Sequence, residues 1–204
     1  MTHHRIIVVG AGLSGLACAR TLADHGLEVL VLDKGRAPGG RASTRHEPGQ
    51  RAFDHGAQFF TARGEWLVRN VAAWAREGVV ARWSPRTSPA AGGRSGPRDG
   101  ETWWVGTPGM GSLAQHLARG LDVRTSSTVT SLAHRPGAWT VDVAAVAHQA
   151  EALVLALPAP QCATLVGDAS PLAEAIATGE LDPCWAAMVA TGRGDGQASP
   201  VDLL

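Results

Sequence analysis

An α/β fold is what this sequence predicts, and three observations carry the prediction. Arg5 to Val9 is a short apolar run rich in branched residues, the composition of a strand buried in a parallel sheet. Leu13 to His25 places Leu13, Leu16, Ala17, Ala19, Leu22 and Ala23 at helical spacing, and Gly26 supplies a natural stop. Glu28 to Leu32 is a second buried strand, ending at Asp33. Strand, helix and strand in immediate succession form one right-handed βαβ unit.

Beyond that unit the pattern is less regular. Lys34 to Arg51 is rich in glycine, and Lys34, Arg36, Arg41, Arg45 and Arg51 stand against Glu47 alone. Glu65 to Glu77 reads as a helix with Trp66, Val68, Val71, Ala72 and Ala75 available to bury. Val79 to Trp83 and Thr102 to Val105 read as strands. The loop between them, Ser84 to Glu101, is dense in Ser, Pro, Gly and Arg and is expected to move. Met110 to Arg119 is a short helix. From Val123 to Val143, branched residues around Pro136-Gly137 predict strands and a hairpin. Glu151 to Leu157 is another buried strand, stopped by Pro158 and Pro160, with a helix from Gln161 to Val166 after it. Leu172 to Ala177 reads as helix, Cys184 to Thr191 as strand, and Gly192 to Leu204 as an irregular tail. No internal repeat is present.

Composition excludes several classes of function. The chain has 204 residues, a formal net charge of zero and 45% hydrophobic residues, so no charge excess points to nucleic acid or a membrane surface. Its longest apolar runs, such as Ile6 to Val9, are far too short to span a bilayer. The basic start before that run lacks the longer apolar segment and cleavage site of a secretory signal. Cys18, Cys162 and Cys184 lie far apart without a C-x-x-C pair, which predicts neither disulfides nor a metal site and suits the cytoplasm.

The chemistry is concentrated in the glycine turn after the first strand, Gly10-Ala11-Gly12-Leu13-Ser14-Gly15. Gly10 permits the tight turn, Gly12 lets the backbone approach a pyrophosphate, and Gly15 lets the helix pack on the strand. The helix N-terminus then offers amides and a favourable dipole to the anion, with the Ser14 hydroxyl beside them. Asp33 ends the second strand about 20 residues on, where a carboxylate accepts hydrogen bonds from a ribose. The same charge repels a 2′-phosphate, an effect that Lys34 and Arg36 weaken. A turn, helix and acidic residue in register predict a dinucleotide site, and no second fingerprint follows it.

The next segment, Lys34-Gly35-Arg36-Ala37-Pro38-Gly39-Gly40-Arg41-Ala42-Ser43-Thr44, resembles the second glycine motif of the amine-oxidase-like flavoproteins. Gly39 and Gly40 let the chain double back, and Arg41 brings a fixed cation toward phosphates. Three further segments extend the likeness: Phe53-Asp54-His55-Gly56-Ala57-Gln58-Phe59-Phe60-Thr61, Gly106-Thr107-Pro108-Gly109-Met110 and Leu155-Ala156-Leu157-Pro158-Ala159-Pro160-Gln161. As far as about Val189 the chain resembles the bacterial renalase-like branch of the FAD-dependent amine oxidase superfamily.

That resemblance implies a Rossmann-like FAD-binding domain with an interleaved, incomplete α+β substrate domain. Residues 1–62 and 121–168 would belong to the first, 63–120 and 169–191 to the second, and 192–204 to a tail. The cofactor would be FAD, held by Gly10, Ala11, Gly12, Leu13, Ser14, Gly15, Asp33, Lys34, Gly40, Arg41, Ala57, Gln58, Phe59 and Val129. The implied reaction is hydride transfer from a small reduced substrate, a dihydronicotinamide isomer, to the flavin and then to O₂. The flavin carries such chemistry and the protein orients and excludes water, so no catalytic side chain is assigned. The residues also admit an NAD-dependent dehydrogenase, which shares the glycine turn and Asp33, or a non-catalytic nucleotide-binding module.

Several side chains have two readings. His55 fits a proton shuttle or a structural hydrogen-bonder, with the second preferred. Asp54 orients His55 or caps a turn, with the turn preferred. Strand alternation turns only one of Phe59 and Phe60, and one of Trp103 and Trp104, toward a pocket. Trp185 is core or pocket wall, and Cys18 a small buried hydrophobe. After Ala190 the sequence departs from its relatives, which continue for about a further third. The expectation is a truncated chain that binds FAD weakly or not at all.

Overall fold

The computed structural model describes residues 2–47, 51–84, 100–167 and 172–188, apart from 180, 183 and 187. The first apolar run becomes β1 (Thr2–Val9), the periodic stretch becomes α1 (Leu13–Asp24), and the second run becomes β2 (Val29–Leu32). A 3₁₀ turn at Gly40–Ala42 follows. The chain then builds β3 (Thr44–Glu47), β4 (Arg51–Asp54), β5 (Phe60–Thr61), α2 (Glu65–Arg76), β6 (Val80–Trp83), β7 (Trp103–Gly106) and α3 (Gly111–Ala118). It closes with β8 (Asp122–Arg124), β9 (Val129–Arg135), β10 (Ala138–Val143), β11 (Val146–Leu155), α4 (Ala159–Val166) and α5 (Ala173–Ala177). The loop expected to move, 84–101, lies mostly outside the described residues, as does the tail.

Two compact units interleave along the chain. One comprises Met1–Ser43 and Leu113–Trp185, and the other is built on Thr44–Ser112. The first holds a six-stranded sheet in the order β8-β2-β1-β11-β10-β9. Its β8-β2-β1-β11 portion is parallel throughout and has the 3-2-1-4 order of a Rossmann-like half. Ile7, Leu30 and Leu32 are fully buried here, with Val9, Val141 and Ala150 beside them. At about 25 cal/mol per Å² of apolar surface removed from water, side chains of this kind are the main support of the unit. Arg20 of α1 donates to the carbonyls of Leu117 and Arg119, where the C-terminal end of α3 favours a cation.

β11 begins earlier than the sequence predicts. Residues Val146 to Ala150 pair antiparallel with β10, and His148 to Leu155 pair parallel with β1. The polar start of this strand belongs to a meander, whereas its apolar end belongs to the parallel sheet. Two other expectations are corrected. On α2 only Val71 and Trp74 are buried, whereas Trp66 is 47% and Val68 48% exposed. Cys184, Trp185, Ala186 and Met188 are not strand, and Trp185 is 98% exposed, neither core nor pocket wall. The rest of the segment predicted as that strand lies outside the described residues.

In the second unit β3 pairs antiparallel with β4, and β5, β7 and β6 form a three-stranded sheet in that order. The sequence signalled neither β3 nor β4, because Thr-Arg-His-Glu and Arg-Ala-Phe-Asp carry no clear apolar alternation. No described helix is long and apolar enough to cross a membrane.

One polar feature sits in the first sheet. His4 of β1 and His148 of β11 are both buried, with ring centroids 5.8 Å apart. His4 Nε2 and His148 Nδ1 have no hydrogen-bond partner among the described residues. Burial above all, then the positive charges of Arg124 and His4, hold His148 below the usual imidazole value of 6.5, with Asp122 opposing them. A base whose folded-state pKa is depressed takes up its proton more readily when unfolded, so acid favours unfolding. Urea midpoints are therefore expected to fall as pH drops through about 6.5 and below. His148→Leu is expected to flatten that acid limb.

Candidate functional site

The three glycines after β1 have three distinct reasons to be glycine. Gly10 has φ +110°, and a Cβ there would meet the Ala156 carbonyl oxygen at 2.6 Å. A Cβ on Gly15 would lie 2.0 Å from the Gly10 oxygen, so only glycine lets α1 pack this close to the turn. Gly12, the N-cap of α1, has φ −71° and nothing within 4 Å of a built Cβ. Its lack of a side chain answers to no protein neighbour, and leaves the approach to the helix open. Among the described residues no side chain caps this terminus, and its first turn contains no acidic residue. An anion would therefore meet backbone amides and a positive dipole end with no competing carboxylate in that turn. Leu13 and Ser14 lie in this first turn, Ser14 exposed.

Asp33 points at that turn. One carboxylate oxygen accepts from the Ala11 amide at 2.6 Å, and the other accepts from the Gly35 amide at 2.6 Å. The second glycine loop docks on the same place, with the Gly39 amide donating to the Ala11 carbonyl at 2.8 Å. Gly39 and Gly40 have φ +133° and +53°, values open mainly to glycine, and a Cβ on Gly40 would lie 3.3 Å from Gly12 Cα. Arg41 follows on the 3₁₀ turn, exposed and without an ion pair among the described residues.

A groove of about 190 Å³ opens at the carboxyl ends of the parallel strands. Val9, Leu32, Asp33 and Lys34 form one side of it, residues 127–129 another, and Leu157, Gln161, Thr164 and Leu165 the third. Its position matches the rule that ligands lie beyond the carboxyl ends where strand order reverses, here around β1. Its volume is below the roughly 300 Å³ at which whole-ligand sites begin, so it suits one ring system. Val129, predicted to flank the adenine, lines it. The residues therefore fit the ADP portion of a dinucleotide: an open helix terminus for the pyrophosphate, a carboxylate at the rim, and an apolar slot beside it. Gln161 and Thr164 were not predicted here. The available signal was their place just after the prolines that stop a parallel strand.

Ala57, Gln58 and Phe59 belong to the second unit, between β4 and β5. Ala57 and Gln58 are exposed there, and Phe59 stacks on Trp103 at 4.1 Å and 15°. Trp83 closes a cluster with both rings at 5.7 to 5.8 Å. Strand alternation sends the neighbouring Trp104 to the opposite face, where Arg82 lies 5.6 Å from its ring. Asp54 does more than cap a local turn. Its Oδ1 accepts from the Thr44 hydroxyl at 2.6 Å and from the Met110 amide at 3.0 Å, and the Gly111 amide donates to Thr44 Oγ1 at 2.9 Å. The N-terminus of α3 is thus capped from a distant hairpin, unlike that of α1. Two motifs far apart in the chain meet at this cap.

Comparison with known proteins agrees with this fold. Residues 8–87 match the NAD(P)-binding Rossmann-like domain family, and residues 93–191 match the flavin containing amine oxidoreductase family. Lysine-specific histone demethylase 1 homolog 2 of Oryza sativa subsp. japonica is 55% identical over 47 residues, 23% of this chain and 6% of that protein. Hydroxyneurosporene desaturase of Rubrivivax gelatinosus is 40% identical over 70 residues, 34% of this chain and 13% of that protein. A solved protein of Exiguobacterium sp. 255-15, assigned as a protoporphyrinogen oxidase, superposes with a TM-score of 0.64 at 15% identity, covering 84% of this chain and 63% of its own. Wild-type putrescine oxidase bound to putrescine gives 0.61 at 14% identity, covering 80% and 60%. The structural likeness shows the fold. The chain spans a small fraction of these curated relatives and about three-fifths of the solved neighbours.

Gly12→Ala is expected to leave stability within about 1 kcal/mol of the parent. It is also expected to weaken ADP binding by at least ~10-fold, measured by titration calorimetry, because its methyl would stand in the pyrophosphate's path. Gly15→Ala is expected to cost about 1–3 kcal/mol or more in urea unfolding, because backbone must move. Asp54→Ala leaves the Met110 amide and the Thr44 hydroxyl without their acceptor. Its expected cost is about 1–3 kcal/mol by the same measurement.

Proposed function

We propose that this chain, whose residues 93–191 match the flavin containing amine oxidoreductase family, carries the nucleotide-binding part of an FAD-dependent oxidoreductase. The observation that carries this reading is the Ala11 peptide. It donates to Asp33 and accepts from Gly39, so the glycine turn, the acidic residue and the second glycine loop are one assembly. In this reading the α1 terminus receives the pyrophosphate, Asp33 and Lys34 lie at the ribose, and Val129 and its neighbours hold the adenine. Arg41 lends a cation on the phosphate side. FAD, when bound, accepts a hydride from the substrate and passes the electrons to O₂, giving hydrogen peroxide.

Within the superfamily we assign the chain to the renalase-like branch. Its substrate would then be a small reduced dihydronicotinamide isomer, with no nucleic acid or membrane partner. The support is the pair of segments around Asp54 and Met110, which are specific in sequence and are joined by the Asp54 hydrogen bond. A cytoplasmic setting fits the three free cysteines. An NAD-dependent dehydrogenase would share the turn and Asp33, but has no need of the Gly39-Gly40 loop docked on them.

Calorimetric titration with ADP tests the site, with FAD and NADH as competitors. ADP is expected to bind and FAD to compete only through that same portion, its flavin end adding little affinity to this chain; NADH is expected to compete less well. Asp33→Asn is expected to weaken ADP binding at least ~10-fold, the scale of a lost charged hydrogen bond. Absence of ADP binding overturns the proposal. Peroxide production from dihydronicotinamide isomers under saturating FAD supports the branch, and production from a primary amine instead rejects it.

A further inference from the structure

The groove that would take the adenine is apolar on its broad walls, where Leu32, Val129, Leu157 and Leu165 offer surfaces to a flat ring. Three of its six polar side chains, Asp33, Ser127 and Thr164, are committed elsewhere, and Thr128 offers only a single hydroxyl. Both carboxylate oxygens of Asp33 hold backbone amides. Ser127 donates its hydroxyl to the Thr125 carbonyl, and Thr164 donates to the Pro160 carbonyl within its own helix. Gln161, in the first turn of α4, lines the groove, and its carboxamide makes no hydrogen bond among the described residues. A primary amide presents one acceptor and two donors side by side. That pattern complements the adjacent amino group and ring nitrogen on the N6/N7 edge of adenine, the pairing by which Gln and Asn select adenine elsewhere. A 6-oxo purine offers two acceptors on the same edge, and one amide cannot donate well to both while its own oxygen faces the ring. Lys34, also at the groove, has only donors and would favour the 6-oxo edge.

We infer that Gln161 reads the base: its carboxamide accepts from N6 and donates to N7 of an adenine lodged between the apolar walls, so the site selects adenine over hypoxanthine. This inference rests on the nucleotide-site reading above and adds the residue that sets base specificity.

The test is calorimetric titration of the 204-residue chain with three probes: ADP, inosine 5′-diphosphate and 7-deaza-ADP. The parent chain is expected to prefer ADP to the inosine analogue by about ten-fold or more, the scale of one bidentate base contact. The 7-deaza analogue, which lacks the N7 acceptor, is expected to fall several-fold below ADP. In Gln161→Leu the three affinities are expected to converge to within about two-fold, with the inosine analogue little changed. The preference in the parent chain needs no variant, so a poorly folding Gln161→Leu does not remove the test. Absence of ADP binding overturns both this inference and the site reading beneath it. ADP binding without preference over the inosine analogue overturns this inference alone, as does a preference that survives in Gln161→Leu.

Discussion

The backbone of Ala11 is the point on which the rest of this site depends. Its N–H donates to the Asp33 carboxylate and its C=O accepts from Gly39, so one buried peptide segment joins three loops. Hydrogen bonds to a charged acceptor contribute about 1.5–3 kcal/mol each. Asp33 makes two of them, to Ala11 and Gly35, and so orders the turn as well as offering charge at its rim. Gly10 and Gly15 allow the packing beneath, where any Cβ would collide with backbone oxygen. An acidic residue at this place therefore acts on the protein's own backbone.

The contrast between α1 and α3 sharpens the point. Both helices begin after glycine-containing turns. The terminus of α3 is occupied by Thr44 and Asp54, reaching in from a hairpin. That of α1 has no side-chain cap, and Gly12 keeps the space in front of it clear. Buried helix ends are normally satisfied by their own protein. The α1 end, open among the described residues, lies close to the ring-sized groove that Val9 and Asp33 help to line.

Much of this was legible in the sequence because its signals are local. The spacing from Leu13 to Ala23, the branched run Ile6 to Val9 and the position of Asp33 each lie within one element or its immediate end. What was illegible depends on partners distant in the chain. β3 and β4 carry no clear apolar alternation and are held by each other and by the Asp54 cap. The early start of β11 follows from its antiparallel neighbour, which no local pattern reveals. On α2 the spacing defines a stripe but not which part of it is covered, so Trp66 and Val68 stand exposed where burial was expected. Gln161 falls in the same class: its sequence neighbours mark a helix start, and only the return of β11 to the edge of β1 brings it to the groove.

That return has a temporal consequence for the newborn polypeptide. β1 pairs with β2, which follows it closely in the chain, and with β11, which is synthesised much later than either. Until then the strand that leads into the glycine turn exposes an unpaired edge, the condition that invites wrong pairing. Contacts of such long sequence separation slow folding. The strand that leads into the glycine turn is thus among the last in the sheet to gain both of its neighbours during biogenesis.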